Sequence, residues 1–260
     1  MPEATIICCD CSEYMRNGDF MPSRFDAQSD AVGLISNAKT QQNHENTVGL
    51  IAMHPNAKAD VLVNCTQDIG RVLSSLAKMK IGDNSLIKPP SLNVSSGSES
   101  KTTDDDNNND SINILVALQT AQLALKHRKN KKQDQRIILF VGSPITKAQN
   151  EKMLIKAAKR LKKNNVSVDI VNFGESEENT GLLERFIGSV KANDNSNLVT
   201  VEPGKLLSDV LISTPIFQQA GQQINEYGNL GGNDADLNAA IRASQADAGG
   251  GGGGGAAAGG

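Results

Sequence analysis

The stretch from Thr5 to Tyr14 constrains the fold of this chain more than any other. It is a short, apolar, β-rich run that ends on Asp10 and Ser12. An uninterrupted apolar run followed by a polar turn is typical of a strand buried on both faces of a sheet. Ligands of open α/β sheets gather at the carboxyl ends of such strands. Asp10 and Ser12 therefore mark a candidate site.

Helix-like and strand-like patterns alternate along the rest of the chain. Further strands are predicted at 47–53, 61–63, 137–141, 166–173 and 198–201. Helices are predicted at 24–39, 67–78, 111–128, 148–163 and 206–211, with a short one around 182–187. This alternation predicts an α/β fold, a doubly wound and mostly parallel sheet with helices on both faces. The second and third strands lie too close for a helix between them, so we expect a hairpin and one antiparallel edge strand.

Composition identifies two segments outside the packed core. Hydrophobic residues make up 38% of the chain, below the usual share. Residues 84–110 are rich in Ser, Asn and Asp and are predicted to be a disordered insertion. Their Asp/Asn run has neither the Gly nor the Glu that a calcium-binding EF-hand loop needs. The chain after about residue 221 is the second segment.

Charge, cysteine content and hydropathy exclude several classes of function. The net charge of −3 gives no general attraction to nucleic acid or anionic membrane, and no apolar run is long enough to span a bilayer. Cys8 and Cys9 are neighbours on a strand and should point to opposite faces. Cys8 and Cys11 have CxxC spacing, but no second Cys or His pair is present to complete a zinc site, so we expect buried, reduced thiols in an intracellular protein rather than zinc ligands.

Nothing in the sequence argues for an enzyme. The closest approach to a nucleophile elbow is Gly142-Ser143-Pro144, which lacks the second glycine. None of the three histidines is expected beside Ser12 or Ser143. A hydrolase that uses Ser143 remains an alternative, and a base beside this residue would be needed for it. No catalytic residue and no cofactor is predicted.

The end of the first strand, the strand order and the hairpin resemble the von Willebrand factor A domain. That family often holds a metal ion with a D-x-S-x-S motif and a Thr and an Asp from later loops. Asp10 and Ser12 match its first two positions, but Tyr14 replaces the second Ser and the loop at 142–146 has no Asp. Magnesium needs near-octahedral oxygen coordination. We therefore predict no metal, and keep a metal-dependent ligand-binding A domain as an alternative.

Longer strings resemble one particular A-domain family, the ubiquitin receptors of the proteasome regulatory particle. They lie at 10–20, 45–50, 123–128 and 162–175, within a resemblance that covers about 1–217. The resemblance implies a non-catalytic, cytoplasmic and nuclear protein. Its A domain would dock on lid and base subunits, tentatively through Asp10, Ser12 and Glu13, and it would bind ubiquitin and polyubiquitin chains. A free ubiquitin shuttle is the other alternative.

The tail contains one candidate for the helical ubiquitin-interacting motif of that family. Four residues of 234–247 fall at i, i+3, i+4 and i+7 on one helical face, and acidic residues flank them. The resemblance assigns ubiquitin binding to Asp234, Asp236, Leu237, Ala240, Ile241, Ser244 and Asp247. The predicted organisation is an A domain at 1–217, a flexible linker at 218–232, the motif helix at 233–248 and a disordered Gly/Ala tail at 249–260.

Overall fold

Apolar strands and amphipathic helices alternate through the protein, which was analysed as a computed structural model. The structure describes residues 2–55, 58–82, 112–145, 151–191 and 195–218. The strands are β1 (Glu3–Asp10), β2 (Thr47–His54), β3 (Lys58–Thr66), β4 (Asp134–Val141), β5 (Val166–Phe173) and β6 (Leu198–Val201). In the described residues they form one sheet of order β3-β2-β1-β4-β5-β6. All neighbouring pairs are parallel except β2 and β3.

Helices cover both faces of this sheet, as predicted. They are α1 (Arg24–Gln42), α2 (Ile69–Lys78), α3 (Ile114–Lys126), α4 (Glu151–Lys163), α5 (Ser176–Val190), α6 (Leu207–Ile212) and α7 (Pro215–Gln218). One apolar core lies under α1, α2 and α6, and the other lies under α3, α4 and α5. Cys9 belongs to the first core and Cys8 to the second, which confirms that these neighbours point to opposite faces.

The central strands carry the most apolar sequences. From Ala4 to Asp10 every residue of β1 is buried, and β4 is buried from Arg136 onward. A strand buried on both faces is apolar at most positions rather than at alternate positions. The hairpin and the antiparallel edge strand are confirmed, and β6 forms the opposite edge of the sheet.

Several element boundaries differ from the predicted ones for local reasons. Helix α2 begins at Ile69, because the side chain of Asp68 accepts a hydrogen bond from the backbone N–H of Arg71. Asn113 caps α3 in the same way. Strand β3 has 9 residues instead of the predicted three. The prediction followed the apolar run alone, and the polar residues of this edge strand lie outside that run. Helix α5 has 15 residues and is not short.

Some predictions fall outside the described residues. These are the insertion at 84–110, the linker beyond Gln218, the motif helix at 233–248 and the tail at 249–260. None of the helices that the structure describes has the length and the apolar character needed to cross a lipid bilayer.

Candidate docking site at the carboxyl edge of the sheet

The Asp10 carboxylate is the centre of the loops at the carboxyl edge of the sheet. Its Oδ1 accepts a hydrogen bond from the backbone N–H of Ser12 at 2.9 Å. Its Oδ2 accepts one from the backbone N–H of Gly142 at 3.0 Å and one from Ser143 Oγ at 2.8 Å. Burial raises the pKa of Asp10, and these hydrogen bonds partly offset the rise. The carboxylate therefore ties the end of β1 to the loop after β4.

Helix α1 is fixed to the same place by the buried side chain of Gln28. Its Oε1 accepts a hydrogen bond from the backbone N–H of Asp10 at 2.9 Å, and its Nε2 donates to the Asp10 carbonyl at 3.0 Å. The amide thus pairs with the last residue of β1 as a neighbouring strand would. A buried backbone group without such a partner would cost about 1–3 kcal/mol, so Gln28 sets where α1 crosses the sheet.

Arg24, the first residue of α1, joins three loops with one guanidinium group. It makes a bidentate ion pair with Asp19, in which both hydrogen bonds measure 2.7 Å. It also donates to the Gly142 carbonyl at 2.7 Å and to Glu175 at 3.1 and 3.2 Å. Its side chain is only 5% exposed. A positive charge therefore lies inside this edge of the sheet, beside the loop that Asp10 holds.

Close packing fills the space next to these polar groups. A 3-10 helix, Glu13–Arg16, follows β1 and buries Met15. A Cβ atom on Gly142 would lie 2.5 Å from Met15 Sδ and 3.1 Å from the ring of Phe173. Gly174 has a φ of +87°, and a Cβ there would lie 2.8 Å from the Gly142 carbonyl oxygen. Glycine is required at both positions, since any side chain would collide with the loop cluster.

The residues at this edge do not fit the metal ion that many A domains carry. The Asp10 oxygens accept hydrogen bonds that tie the loops together, and neither Tyr14 nor the described loop at 142–145 adds a second carboxylate. The hydroxyl of Ser12 is buried and makes no well-aligned hydrogen bond, although it lies near enough to Asp10 to help lower the pKa of that carboxyl. A lone hydroxyl does not make a magnesium site. In the described ranges, no group of three or more His, Cys, Asp or Glu side chains could share a metal ion.

The tentative docking residues differ sharply in accessibility. Asp10 and Ser12 are fully buried, so neither can touch a partner directly in this conformation. Their side chains shape the loop from inside, whereas Glu13 is exposed and pairs with Arg16 at 2.5 Å. Ser143 is also fully buried. A carboxylate does lie beside it, but solvent and substrate cannot reach this hydroxyl, which argues against the hydrolase alternative.

A second buried charge cluster lies at the opposite, amino edge of the sheet, and the sequence analysis did not identify it. Glu3 pairs with Lys39 and with Arg136, each at 2.8 Å, and Arg136 also pairs with Asp169 at 2.5 Å. Burial alone would raise the pKa of Glu3, but the two cations outweigh it and lower the pKa from 4.5 to about 2. The charges alternate in sign, so each buried group has a partner. This cluster joins β1, β4, β5 and α1.

Comparison with known proteins places the fold in a family. The family model for the von Willebrand factor type A domain matches residues 5–144. The chain is 43% identical over 243 residues to the 26S proteasome regulatory subunit RPN10 of Saccharomyces cerevisiae, covering 92% of this chain and 79% of the yeast protein. The chain belongs to the RPN10 family of 26S proteasome regulatory subunits.

Two further relatives show how far this membership extends. The rice 26S proteasome non-ATPase regulatory subunit 4 homolog (Oryza sativa subsp. japonica) is 46% identical over 217 residues, which are 83% of this chain and 46% of the rice protein. The crystal structure of the SpRpn10 VWA domain superposes with a TM-score of 0.67 at 39% identity, covering 83% of this chain and 97% of that domain. The chain thus matches almost all of that A domain but spans about half the length of the rice relative.

Proposed function

We propose that the chain is a non-catalytic ubiquitin receptor of the 26S proteasome regulatory particle. The observation that carries the proposal is the extent of the match to yeast RPN10. It covers 92% of the chain, more residues than the 1–217 domain contains. The likeness therefore extends beyond residue 217 into the tail, and the motif Asp234–Asp247 of that tail is assigned from its sequence. The A domain would dock on lid and base subunits, and the tail would capture polyubiquitinated substrates in cytoplasm and nucleus.

The carboxyl edge of the A domain supports a docking role rather than a catalytic one. Its polar groups bond to one another within the described loops, through Asp10 and through Arg24. The Asp10 carboxylate and the hydroxyls of Ser12 and Ser143 are all buried, so a substrate cannot reach them. What the cluster provides is a fixed loop surface, on which Glu13 is exposed. A rigid surface suits docking because little conformational entropy is lost when it binds.

The tail motif has the properties of a weak, repeatable binder. A single helical face of Leu237, Ala240, Ile241 and Ser244 gives a small interface, and we expect micromolar or weaker affinity for one ubiquitin. A short helix is only marginally stable alone in water, so binding must also supply its ordering energy. Several ubiquitins in one chain raise the effective concentration. Polyubiquitin should therefore bind far more tightly than monomer.

Ubiquitin capture is tested with the full chain and isotope-labelled ubiquitin in an NMR titration. Ala240→Phe places a ring in the notch between Leu237 and Ile241 and should abolish the chemical-shift changes. Ala239→Phe makes the same change two positions from Leu237, on the opposite side of the helix, and should leave binding intact. If wild-type chain produces no shift changes, or if both variants behave alike, the motif assignment is wrong.

Docking is tested separately with residues 1–217. We expect this fragment to co-purify with the regulatory particle as well as the full chain does, because the tail has no part in docking. Glu13→Lys should weaken this association if the exposed edge near the 3-10 helix contacts the particle. If neither full chain nor fragment co-purifies while ubiquitin still binds, a free ubiquitin shuttle is the better account.

A further inference from the structure

A groove between α3 and α4, on the sheet face opposite α1, is not used by the function proposed above. Each of the two helices lines the groove with one row of side chains, spaced at i, i+3, i+4 and i+7. The floor is apolar and is formed by Leu115, Leu118, Met153, Ala157 and Leu161. Met153 is 45% exposed, although a thioether side chain gains about 1.5–3 kcal/mol from full burial. The groove therefore offers an unfilled apolar surface.

The rim of this groove is positively charged and is not neutralised. Lys156 and Arg160 of α4 line it and are exposed. The α3 side contributes Gln119 and Gln122 and no acid. The acid of α4, Glu151, pairs with Arg185 at 2.8 Å. Within the ranges the structure describes, neither Lys156 nor Arg160 forms an ion pair with a carboxylate.

Compensation of the helix dipole accounts for Arg160 but not for Lys156. A cation stabilises a helix only within the last turn. Arg160, Lys162 and Lys163 lie in that turn of α4, and Lys162 donates to the Lys191 carbonyl at 2.8 Å. Lys156 lies nearly two turns before the end of the helix. Its position beside an apolar floor points to a ligand outside the domain.

We infer that this groove binds an amphipathic helix of a partner protein that carries acidic residues beside its apolar stripe. The groove has a volume of about 250 Å³, below the usual 300–1,000 Å³ of small-molecule sites, which suits a few side chains of a helix. Helices bind such grooves with anchors at i, i+3, i+4 and i+7. Glutamate or aspartate beside those anchors would pair with Lys156 and Arg160. The lining contains no aromatic side chain on which a nucleic-acid base could stack.

The inference is tested with the full chain and two designed peptides in fluorescence anisotropy. Both peptides are helical, with Leu at i, i+3, i+4 and i+7, and they carry either Glu or Lys on the flanks. We expect the Glu peptide to bind and the Lys peptide to bind at least tenfold more weakly at low salt, with the difference shrinking as salt screens the charges. Equal binding of the two peptides, or no binding of either, would overturn the inference.

A matched pair of variants locates the site. Lys156→Glu reverses a charge on the groove rim, and Lys159→Glu makes the same change on the same helix outside the lining. Both side chains are exposed, so both variants should fold, as circular dichroism would verify. We expect Lys156→Glu to lower the affinity for the Glu peptide roughly fivefold to tenfold. Lys159→Glu should lower this affinity less than about twofold. Equal losses of affinity in the two variants would mean general charge attraction rather than binding in the groove and would contradict the proposal.

Concentration-dependent self-association in sedimentation, or competition by an oligonucleotide, would assign a different occupant and contradict the proposal. None of these outcomes bears on ubiquitin capture by the tail.

Discussion

Replacing Glu3 with Gln should destabilise the A domain more than any change at an exposed ion pair. Glu3 links Lys39 on α1 to Arg136 on β4, and its side chain is 16% exposed. The Lys39 and Arg136 side chains are only 2% and 9% exposed. Gln removes the negative charge while keeping the shape, so both cations lose a partner that solvent cannot replace. Breaking a buried pair on one side is strongly destabilising.

The lowered pKa of Glu3 sets the size and the pH dependence of this loss. A fall from 4.5 to about 2 corresponds to about 3 kcal/mol of stability at neutral pH. For an acid whose pKa is lower in the folded state, this stability is fully present above pH 4.5. It disappears as the pH falls toward 2, because the unfolded chain then gains a proton on Glu3 that the folded protein does not bind. Glu3→Gln has no such proton to accept.

Urea unfolding at pH 7, 4.5 and 3, followed by circular dichroism, measures the effect. We expect the wild type to be about 3 kcal/mol more stable than Glu3→Gln at pH 7, with the difference shrinking as the pH falls below 4.5. The control is Glu202→Gln, which removes an exposed acid paired with Lys205 at 3.0 Å and should cost less than about 1 kcal/mol. A loss below about 1 kcal/mol for Glu3→Gln, or the same difference at pH 7 and pH 3, would refute the reasoning.

Three further predictions concern the carboxyl edge. Gly174→Ala should cost about 2 kcal/mol or more in urea unfolding, because φ is +87° and the new methyl group meets Arg24 and the Gly142 carbonyl; a cost below about 0.5 kcal/mol would contradict this packing. Asp10→Asn should cost about 2–4 kcal/mol, since an amide N–H would face the donors that the carboxylate accepts; a neutral effect would mean that the loops repack freely. Calorimetric titration of the full chain with Mg²⁺ or Mn²⁺ should show no heat of binding at Asp10 and Ser12, and heat that Asp10→Asn removes would restore the metal-binding alternative.

The order of elements could be predicted because it depends on local patterns. The continuous apolar run of β1 predicted a strand buried on both faces, and β1 lies in the interior of the sheet. The short connection between β2 and β3 left no room for a crossover helix, and the structure has a hairpin there. The family could also be identified from sequence, since the strings at 10–20 and 162–175 are long and specific. The boundaries were less predictable, because caps such as Asp68 shift a helix start by one or two residues.

The contacts that hold the carboxyl edge could not be predicted from the sequence. Gln28 and Arg24 have no special pattern around them, and Arg24 contacts Gly142 across 118 positions of the chain. A search for charged or amide residues at helix positions near a helix start could have marked them as candidates, but not their partners. The sequence placed Asp10 at the end of the first strand, but it did not show that the side chain is enclosed. Gly142 and Ser143, which lie in the loop after β4, donate hydrogen bonds to this carboxylate and enclose it.

The sequence by itself determined the alternation of strands and helices, the two-sided burial of the central sheet and membership of the A-domain family. Each of these follows from periodicity and from short strings of neighbouring residues. Only the tertiary structure decided that Asp10 is enclosed by hydrogen-bond donors and that Glu3 belongs to a buried cluster with Arg136 and Asp169. The physical reason is that burial and charge pairing depend on which distant residues the parallel strands bring to the same edge of the sheet, and local sequence does not contain that information.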